Sequence, residues 1–262
     1  MKAEPTVSVV TIAFNDREGL QTTMASVLAQ TYPSIEYIVI DGGSTDGSID
    51  LLREHTASLA YWISEPDRGI YDAINKGARR TTGDWVIFMN AGDDFASPEV
   101  VREVFAQPAT PDVQFIYGDR IVKYDGYQVA APAGPTRDLW KGSQFSHQAV
   151  FIRGDFQRAH SYNLANRISA DFELFFRAYT AGLGFLRWSG PIARVSAGGL
   201  SDRARLENIA AFYRVVRQLR PGFKTHAYYL LTLALQSVKL TAKRAVPAPL
   251  IDRYRKRFRP LT

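Results

Sequence analysis

Residues 35–55, "IEYIVIDGGSTDGSIDLLREH", decide the fold class. Ile35 to Ile40 is an apolar run of strand length. It stops at Asp41, and "DGGSTDGS" (41–48) is too rich in Gly, Ser and Asp to continue a strand or to start a helix early. Residues 48–55 then read as a helix. The same order recurs on both sides. Val7 to Ile12 is followed by Asn15 and Asp16, which can cap a helix over 17–29. Leu59 to Ile63 precedes a helix over 70–80, and Trp85 to Met89 forms a fourth apolar run. Strands alternating with helices predict an α/β fold built on a mostly parallel sheet.

Such sheets bind ligands beyond the carboxyl ends of their strands. The residues at those ends are chemically loaded. Ala13, Phe14 and Asn15 follow the first strand, Asp41 the second, and Glu65, Pro66, Asp67 and Arg68 the third. The fourth runs through "VIFMNAGDDF" (86–95) into Asp93 and Asp94. Two adjacent anions repel each other and cost energy to desolvate. A carboxylate pair also serves as a turn or helix cap. At a strand end, on one edge with Asp41, Asp67 and Arg68, it points instead to a divalent cation. Oxygen ligands and a complete lack of Cys restrict the choice to the hard ions Mg2+ and Mn2+. "DGGSTDGS" fits neither an EF-hand nor a phosphate-binding P-loop. It reads as a βα loop in which Ser44 or Asp46 caps the next helix. Its functional interest lies in Asp41, placed to bond a base or ribose.

The bulk numbers exclude several classes. The 262 residues are 46% apolar and 22% charged, which suits a globular protein with a real core. No 18-residue apolar run spans a bilayer, and no signal-peptide pattern precedes the first strand. A cytoplasmic location is the expectation. The formal net charge is +6, yet residues 239–262 alone hold eight Lys and Arg against Asp252, a net of +7. The body is therefore close to neutral, which removes the main support for nucleic-acid binding.

Four stretches together resemble a known family: "VSVVTIAFND", "IEYIVIDGGSTDGS", "EPDRGIYDAINKG" and "GDWVIFMNAGDDF". They look like the nucleotide-binding half of inverting family 2 glycosyltransferases with the GT-A fold, of the bacterial capsule, exopolysaccharide and O-antigen type. Weaker likeness continues through "FSHQAVFIR" (145–153), "ISADFELFFRA" (168–178) and "SAGGLS" (196–201). The resemblance implies transfer of a sugar from a nucleotide-diphosphate sugar to a hydroxyl of a saccharide acceptor, with polyprenyl-diphosphate lipids as the expected carriers. It implies that Thr11, Ala13 and Phe14 hold the nucleobase and that Asp41 bonds it. Asp67 and Arg68 would lie beside the nucleotide. Asp93 and Asp94 stand at the family's D-x-D motif and would share the metal and the ribose, with Asn90 in the place of an earlier Asp.

Asp171 opens the apolar-rich stretch "DFELFFRAYTAG". Its residues alone suggest an N-cap or helix-dipole partner. The resemblance makes it the general base, with Ala170 replacing the family's usual Glu. His147, before an apolar strand, reads either as a core-edge residue or, with Gln148, as a diphosphate or acceptor contact. Gly198-Gly199 in "SAGGLS" would let that segment act as a flap.

Residues 1–200 are thus expected to form the GT-A domain, with a nucleotide-binding half over about 5–95 and an acceptor half over about 96–200. Residues 201–262 form C-terminal helices with a basic tail. Leu206, Ile209, Ala210, Tyr213, Val215 and Val216 recur at helical spacing. Pro221-Gly222 breaks the pattern, and "HAYYLLTLALQSVKLTAKR" reads as a second apolar helix ahead of "RYRKRFRP". Two readings stand: a helix packed on the body with a solvated tail, or a peripheral contact with the inner face of the cytoplasmic membrane through Tyr228, Tyr229, Leu230, Leu231, Leu233 and Leu235. Two alternatives to the transferase also stand. A sugar nucleotidyltransferase would carry an Arg-containing Gly-rich loop after strand one, which "TIAFNDREG" lacks. A non-catalytic nucleotide-sugar-binding protein would not require Asp41, Asp93, Asp94 and Asp171 together.

Overall fold

The computed structural model describes residues 4–107, 109–198 and 204–244, the last five by backbone alone. "RYRKRFRP" and the Gly199–Ser201 part of "SAGGLS" lie outside the described residues.

The four apolar runs form β1 (Val7–Ala13), β2 (Ile35–Asp41), β3 (Tyr61–Ser64) and β4 (Trp85–Phe88). Between them lie α1 (Arg17–Leu28), α2 (Ser48–Glu54) and α3 (Ile70–Ala78). Asp16 caps α1, its Oδ1 accepting the Gly19 N–H at 3.0 Å. These strands pair in parallel in the order β3-β2-β1-β4. Both faces are covered, which is why the strands are apolar runs and do not alternate with polar residues. Val10, Ile12, Ile38, Ile40 and Phe88 face α3, while Val7, Val9, Val39 and Ile87 face the side of α1 and α2. A Cβ on Gly77 would sit 2.4 Å from Val10 Cγ1, so only Gly lets α3 lie this close to β1.

Beyond β4 the sheet changes character. It continues through β8 (Val150–Arg153), β6 (Val113–Tyr124), β9 (Gly184–Ser196) and β5 (Asp94–Phe95), with β7 (Tyr127–Ala131) paired to β6. Here antiparallel pairs dominate, and β6–β9 is a parallel pair with register shifts. One mixed sheet therefore runs through both the early and the later part of the chain. Helices α4 (Val100–Val104), α5 (Gly154–Ala159) and α6 (Ala170–Thr180) pack around this half.

Chain order and spatial order part company at one place. From β1 the chain moves outward to β2 and β3, then returns to β4 on the other side of β1. The loops leaving β1 and β4 diverge there and open a crevice at the strands' carboxyl ends.

Two C-terminal helices follow, α7 (Arg205–Leu219) and α8 (Phe223–Arg244). Val215 and Val216 of α7 are buried, and the Phe212 ring lies 4.3 Å from that of Phe172 on α6. On α8, the Tyr229 hydroxyl donates to the Trp140 carbonyl at 3.0 Å, and Tyr228 packs on the Trp140 ring. Leu233 packs on the same core. Tyr228, Tyr229 and Leu233 thus face the body, and the group of six apolar residues assigned from sequence to one surface divides between two faces of the helix. No helix among the described residues is long and apolar enough to cross a membrane.

Candidate active site

The crevice at the β1–β4 divergence is a cavity of about 700 Å³. Each bordering loop contributes: Ile12, Ala13, Phe14 and Asp16 after β1, Gly42 and Gly43 after β2, Pro66 and Asp67 after β3, Gly69, Ile70 and Ala73 at the start of α3, and Asn90 and Ala91 after β4. The Phe14 ring is 63% exposed, unusual for a Phe and suited to stacking on a planar ligand. Asn15 beside it holds a left-handed φ of 49°, rare outside Gly. The β2 loop holds it there: the Asn15 N–H donates to Ser44 Oγ at 2.7 Å, and its Oδ1 accepts the Thr45 N–H at 2.8 Å.

Of the residues singled out from sequence, Ala13, Phe14 and Asp67 line this cavity. Thr11 does not: it is fully buried, and its Oγ1 meets the Tyr37 hydroxyl at 3.0 Å. Asp41 is fully buried. Its Oδ2 accepts from the Gly43 N–H (3.1 Å), the Ser44 N–H (2.8 Å) and Ser64 Oγ (2.5 Å), and its Oδ1 from Ser44 Oγ (2.5 Å). These four bonds curl the "DGGS" loop into the cavity wall. Asp67 caps the turn into α3 through the Gly69 N–H at 2.7 Å. Its other oxygen would sit 2.5 Å from a Cβ on Gly42, so the two loops touch only because residue 42 is Gly. Arg68 points outward, its guanidinium paired to Asp72 at 3.1 Å and its side chain largely exposed.

After β4 the chain makes a tight turn. The Asp93 N–H donates to the Asn90 carbonyl at 2.9 Å, with Gly92 at a φ of 87°. Gly at the third position supplies the positive φ that such a turn demands. Thr23 of α1 pins it by donating to the Asp93 carbonyl at 2.6 Å. The two carboxylates then diverge. Asp94 starts β5 and is gripped by two cations, Lys123 Nζ on Oδ1 and Arg194 Nε on Oδ2, the latter at 2.5 Å. Asp93 meets only neutral donors: the Ser196 N–H at 3.0 Å on Oδ1 and Gln148 Nε2 at 2.9 Å on Oδ2. Burial lifts its pKa to about 6, against the lowering effect of those donors and of Lys123.

A metal at Asp94 would have to sit against two bound cations, and one at Asp93 would not. A second oxygen is close in sequence. Asn90 Oδ1 is buried without a hydrogen-bond partner among the described residues, and Asn90 is one of the residues that border the cavity. A buried acceptor left open is costly unless a ligand fills it. Asn90 Oδ1 and Asp93 are oxygen donors of the kind Mg2+ and Mn2+ take, and these ions commonly complete their shells with substrate phosphates. No cluster of three or more His, Asp or Glu that could hold a metal exists among the described residues.

From Asp93 a chain of contacts leads to α6. Gln148, which holds Asp93, follows His147. The His147 ring is buried, stacks 4.9 Å from Phe88 and shares a 2.8 Å hydrogen bond with the Tyr162 hydroxyl. Burial lowers its pKa, partly offset by the negative charge of Asp171. Tyr162 stacks on Tyr71 at 5.8 Å, and its backbone is held by both ends of the Asn75 amide, at 2.8 and 2.9 Å. The Tyr71 hydroxyl lies 2.7 Å from Asp171 Oδ1. Asp171 is half-buried in the first turn of α6. Asp171 and Asp93, though 78 positions apart in sequence numbering, therefore belong to one packed polar network. Lys123, Arg194, Ser196 and Tyr71 were missed in the reading of the sequence. Tyr71 sat within the motif "RGIYDAINKG" and Ser196 opened "SAGGLS", while Lys123 and Arg194 lay in no quoted motif.

Comparison with known proteins bears on the family and the fold. Residues 8–175 match the family profile described as "Glycosyl transferase family 2". The chain is 40% identical over 184 residues to the "uncharacterized glycosyltransferase" Rv1514c of Mycobacterium tuberculosis, covering 68% of this chain and 70% of that protein. It is 29% identical over 183 residues to a "PGL/p-HBAD biosynthesis glycosyltransferase" of Mycobacterium bovis, covering 68% and 71%. Among solved structures, the mannosyltransferase PcManGT from Pyrobaculum calidifontis, in complex with GDP-Man and Mn2+, superposes with a TM-score of 0.68. It has 16% identity, with 94% of this chain and 77% of that one covered.

Proposed function

The chain belongs to glycosyl transferase family 2 and has the GT-A fold, and from that premise we propose that it transfers a sugar, with inversion, from a nucleotide-diphosphate sugar to an acceptor hydroxyl. The observation that carries this reading is the cavity itself. It lies at the topological switch point, an exposed aromatic ring stands on one wall, and Asn90, whose buried Oδ1 has no hydrogen-bond partner among the described residues, borders another. The nucleobase lies against Phe14, between the loops after β1 and β2. Asp67 and the "DGGS" loop shaped by Asp41 complete that wall. Direct contact between Asp41 and the base would require one of its serine donors to turn away, which makes Asp41 chiefly the organiser of the base-binding loop.

Asn90 and Asp93 are the residues that would hold Mg2+ or Mn2+, and PcManGT with its Mn2+ supports the use of such an ion. When bound there, such an ion would supply positive charge against the leaving diphosphate. Asp171 takes the proton from the acceptor hydroxyl while that oxygen bonds to the anomeric carbon. The bond from the anomeric carbon to the diphosphate oxygen breaks in the same displacement, so an α-linked donor yields a β-glycoside. Only Oδ1 of Asp171 is engaged by Tyr71, which leaves Oδ2 for the acceptor. The acceptor is a saccharide, carried on a polyprenyl-diphosphate lipid in surface polysaccharide synthesis. His147 supports the site from the core, and Gln148 positions Asp93.

The test is a panel of nucleotide sugars with Mg2+, Mn2+ or EDTA, read for binding by thermal shift and for hydrolysis or transfer. Binding of at least one donor that needs the metal, with a product of inverted configuration by NMR, is the expected result. Full turnover in EDTA would remove the metal from this reading, and retention of configuration would remove the single displacement.

A further inference from the structure

Helix α8 has one face too many. Its inner face, through Tyr229, Tyr228 and Leu233, is spent on Trp140 and the core. Its outer face carries Phe223, Leu230, Leu231, Leu235 and Val238, at 88%, 60%, 61%, 50% and 67% exposure. The spacing i, i+7, i+8, i+12, i+15 puts all five on one side of a helix. Single exposed apolar residues need no explanation, but an aligned stripe does.

We infer that this outer face lies on the surface of an anionic phospholipid bilayer, with the helix in the plane of the interface. Charge selects the occupant. The stripe runs straight into residues 239–262, whose eight Lys and Arg against one Asp make +7 in a chain of total charge +6. An apolar face continuous with a concentrated positive charge matches a surface that is apolar inside and negative outside. A second copy of the chain would bring the same +7, and residues 1–238, at a net −1, offer no compensating net charge. The stripe is also too small for a dimer. At 1.5 Å per residue it is about 24 Å long and one helix wide, roughly 250 Å² in projection, against about 800 Å² per partner in a stable interface. The inference does not depend on which sugar is transferred, or on whether the transfer reading holds.

The test is co-sedimentation of the full-length protein with vesicles of phosphatidylglycerol and phosphatidylcholine in equal parts, and with vesicles of phosphatidylcholine alone. Two variants accompany it: Leu230→Gln with Leu231→Gln and Leu235→Gln, and Arg253→Glu with Arg255→Glu and Arg257→Glu. The substituted leucines are exposed, so circular dichroism and melting temperature should match wild type. The wild type is expected to sediment with the anionic vesicles, less at high salt, and little with the neutral ones. Each variant is expected to lose roughly tenfold or more in vesicle affinity. Wild-type binding by the leucine variant would overturn the role of the stripe, and no sedimentation of any form would overturn the inference as a whole. A wild-type dimer in analytical ultracentrifugation that the leucine substitutions dissociate would assign the face to a second copy and overturn it equally. Because no activity is measured, failure here leaves the transferase reading standing, and failure of that reading leaves this result unaffected.

Discussion

Asp41 and Asp67, at the ends of the parallel strands, and Asp94 and Asp119, on the later strands, are neutralised by different means. In the parallel half, Asp41 is surrounded by serine hydroxyls and backbone N–H groups, and Asp67 by a backbone N–H. In the antiparallel half, Asp94 is met by Lys123 and Arg194, and Asp119 by Arg187. Neutral dipoles leave the negative charge in place, which suits a wall that faces a ligand. Cations cancel it, which suits a seam that holds strands together. Asp93 and Asp94 are adjacent in sequence and fall on opposite sides of this divide. Asp93 belongs with the dipole-held group and Asp94 with the ion-paired one.

That contrast breaks most visibly at Asp94. Asp94→Ala leaves Lys123 and Arg194 without their partner, at a site where the Asp94 side chain is only 11% exposed. Removing one member of a buried pair costs about 3–5 kcal/mol, and the part-exposed cations put this case near the lower end. Urea unfolding should show that loss, while nucleotide binding survives in the folded fraction. Unchanged stability with lost metal or nucleotide binding would instead make Asp94 a ligand and erase the distinction from Asp93.

Asp171 provides the next largest effect. Asp171→Asn keeps the shape of the side chain and removes the base, so kcat should fall by about two orders of magnitude or more. Donor binding by thermal shift should stay near wild type, because no residue lining the cavity changes. Near-normal turnover with the true acceptor would reduce Asp171 to a dipole partner of α6.

Asp93 tests the dipole side of the contrast through pH. Its folded pKa of about 6 stands above the ordinary 3.8. The folded state therefore binds the extra proton between those values, and stability falls as pH rises from about 4 to about 6. Two pKa units set a ceiling of about 3 kcal/mol at 1.36 kcal/mol per unit. In metal-free buffer, Asp93→Asn should lose this pH dependence and gain about 2 kcal/mol relative to wild type between pH 4 and pH 7. If both proteins follow the same pH curve, the Asp93 carboxylate is not held desolvated. Added Mg2+ or Mn2+ should bind wild type more weakly as pH drops below about 6, since the proton competes with the ion.

The same divide explains what was legible in the sequence. In the parallel half, the cavity residues named from sequence lie at or just after strand ends, so local pattern locates Ala13, Phe14 and Asp67 without knowledge of the fold. Even there, Thr11 was expected at the nucleobase and is instead buried against Tyr37. In the antiparallel half, the partners of Asp94 lie 29 and 100 positions away. Arg194 sits on β9, whose apolar pattern is interrupted by Arg187, Pro191 and Arg194, and no strand was expected there. His147 stood between core and ligand readings, and its burial against Phe88, Tyr162 and Phe175, all distant in sequence, could not be read from its own segment. Which face of α8 turns inward depended on Trp140, 89 positions before Tyr229.

The smallest effect concerns Tyr71, where the two halves meet. It stands on α3, over the parallel strands, and its hydroxyl reaches Asp171 on α6 at 2.7 Å, with the Ile168 carbonyl at 3.2 Å. Burial raises its pKa well above the ordinary tyrosine value, and the charge of Asp171 adds to that rise, so the phenol stays protonated and donates. A donated bond of this kind fixes the direction of the carboxylate. Tyr71→Phe keeps the stacking on Tyr162 and removes only the bond. One hydrogen bond to a charged group is worth about 1.5–3 kcal/mol, part of which water can replace at a half-buried carboxylate. A fall in kcat of about tenfold follows, with donor affinity unchanged. A simple packing defect would give a similar fall in any background. If Tyr71 acts through Asp171, Tyr71→Phe should cost nothing further once Asp171→Asn is present, because the two residues then form one functional unit. Additive losses in that double-mutant cycle would mean that Tyr71 shapes the site without orienting the base.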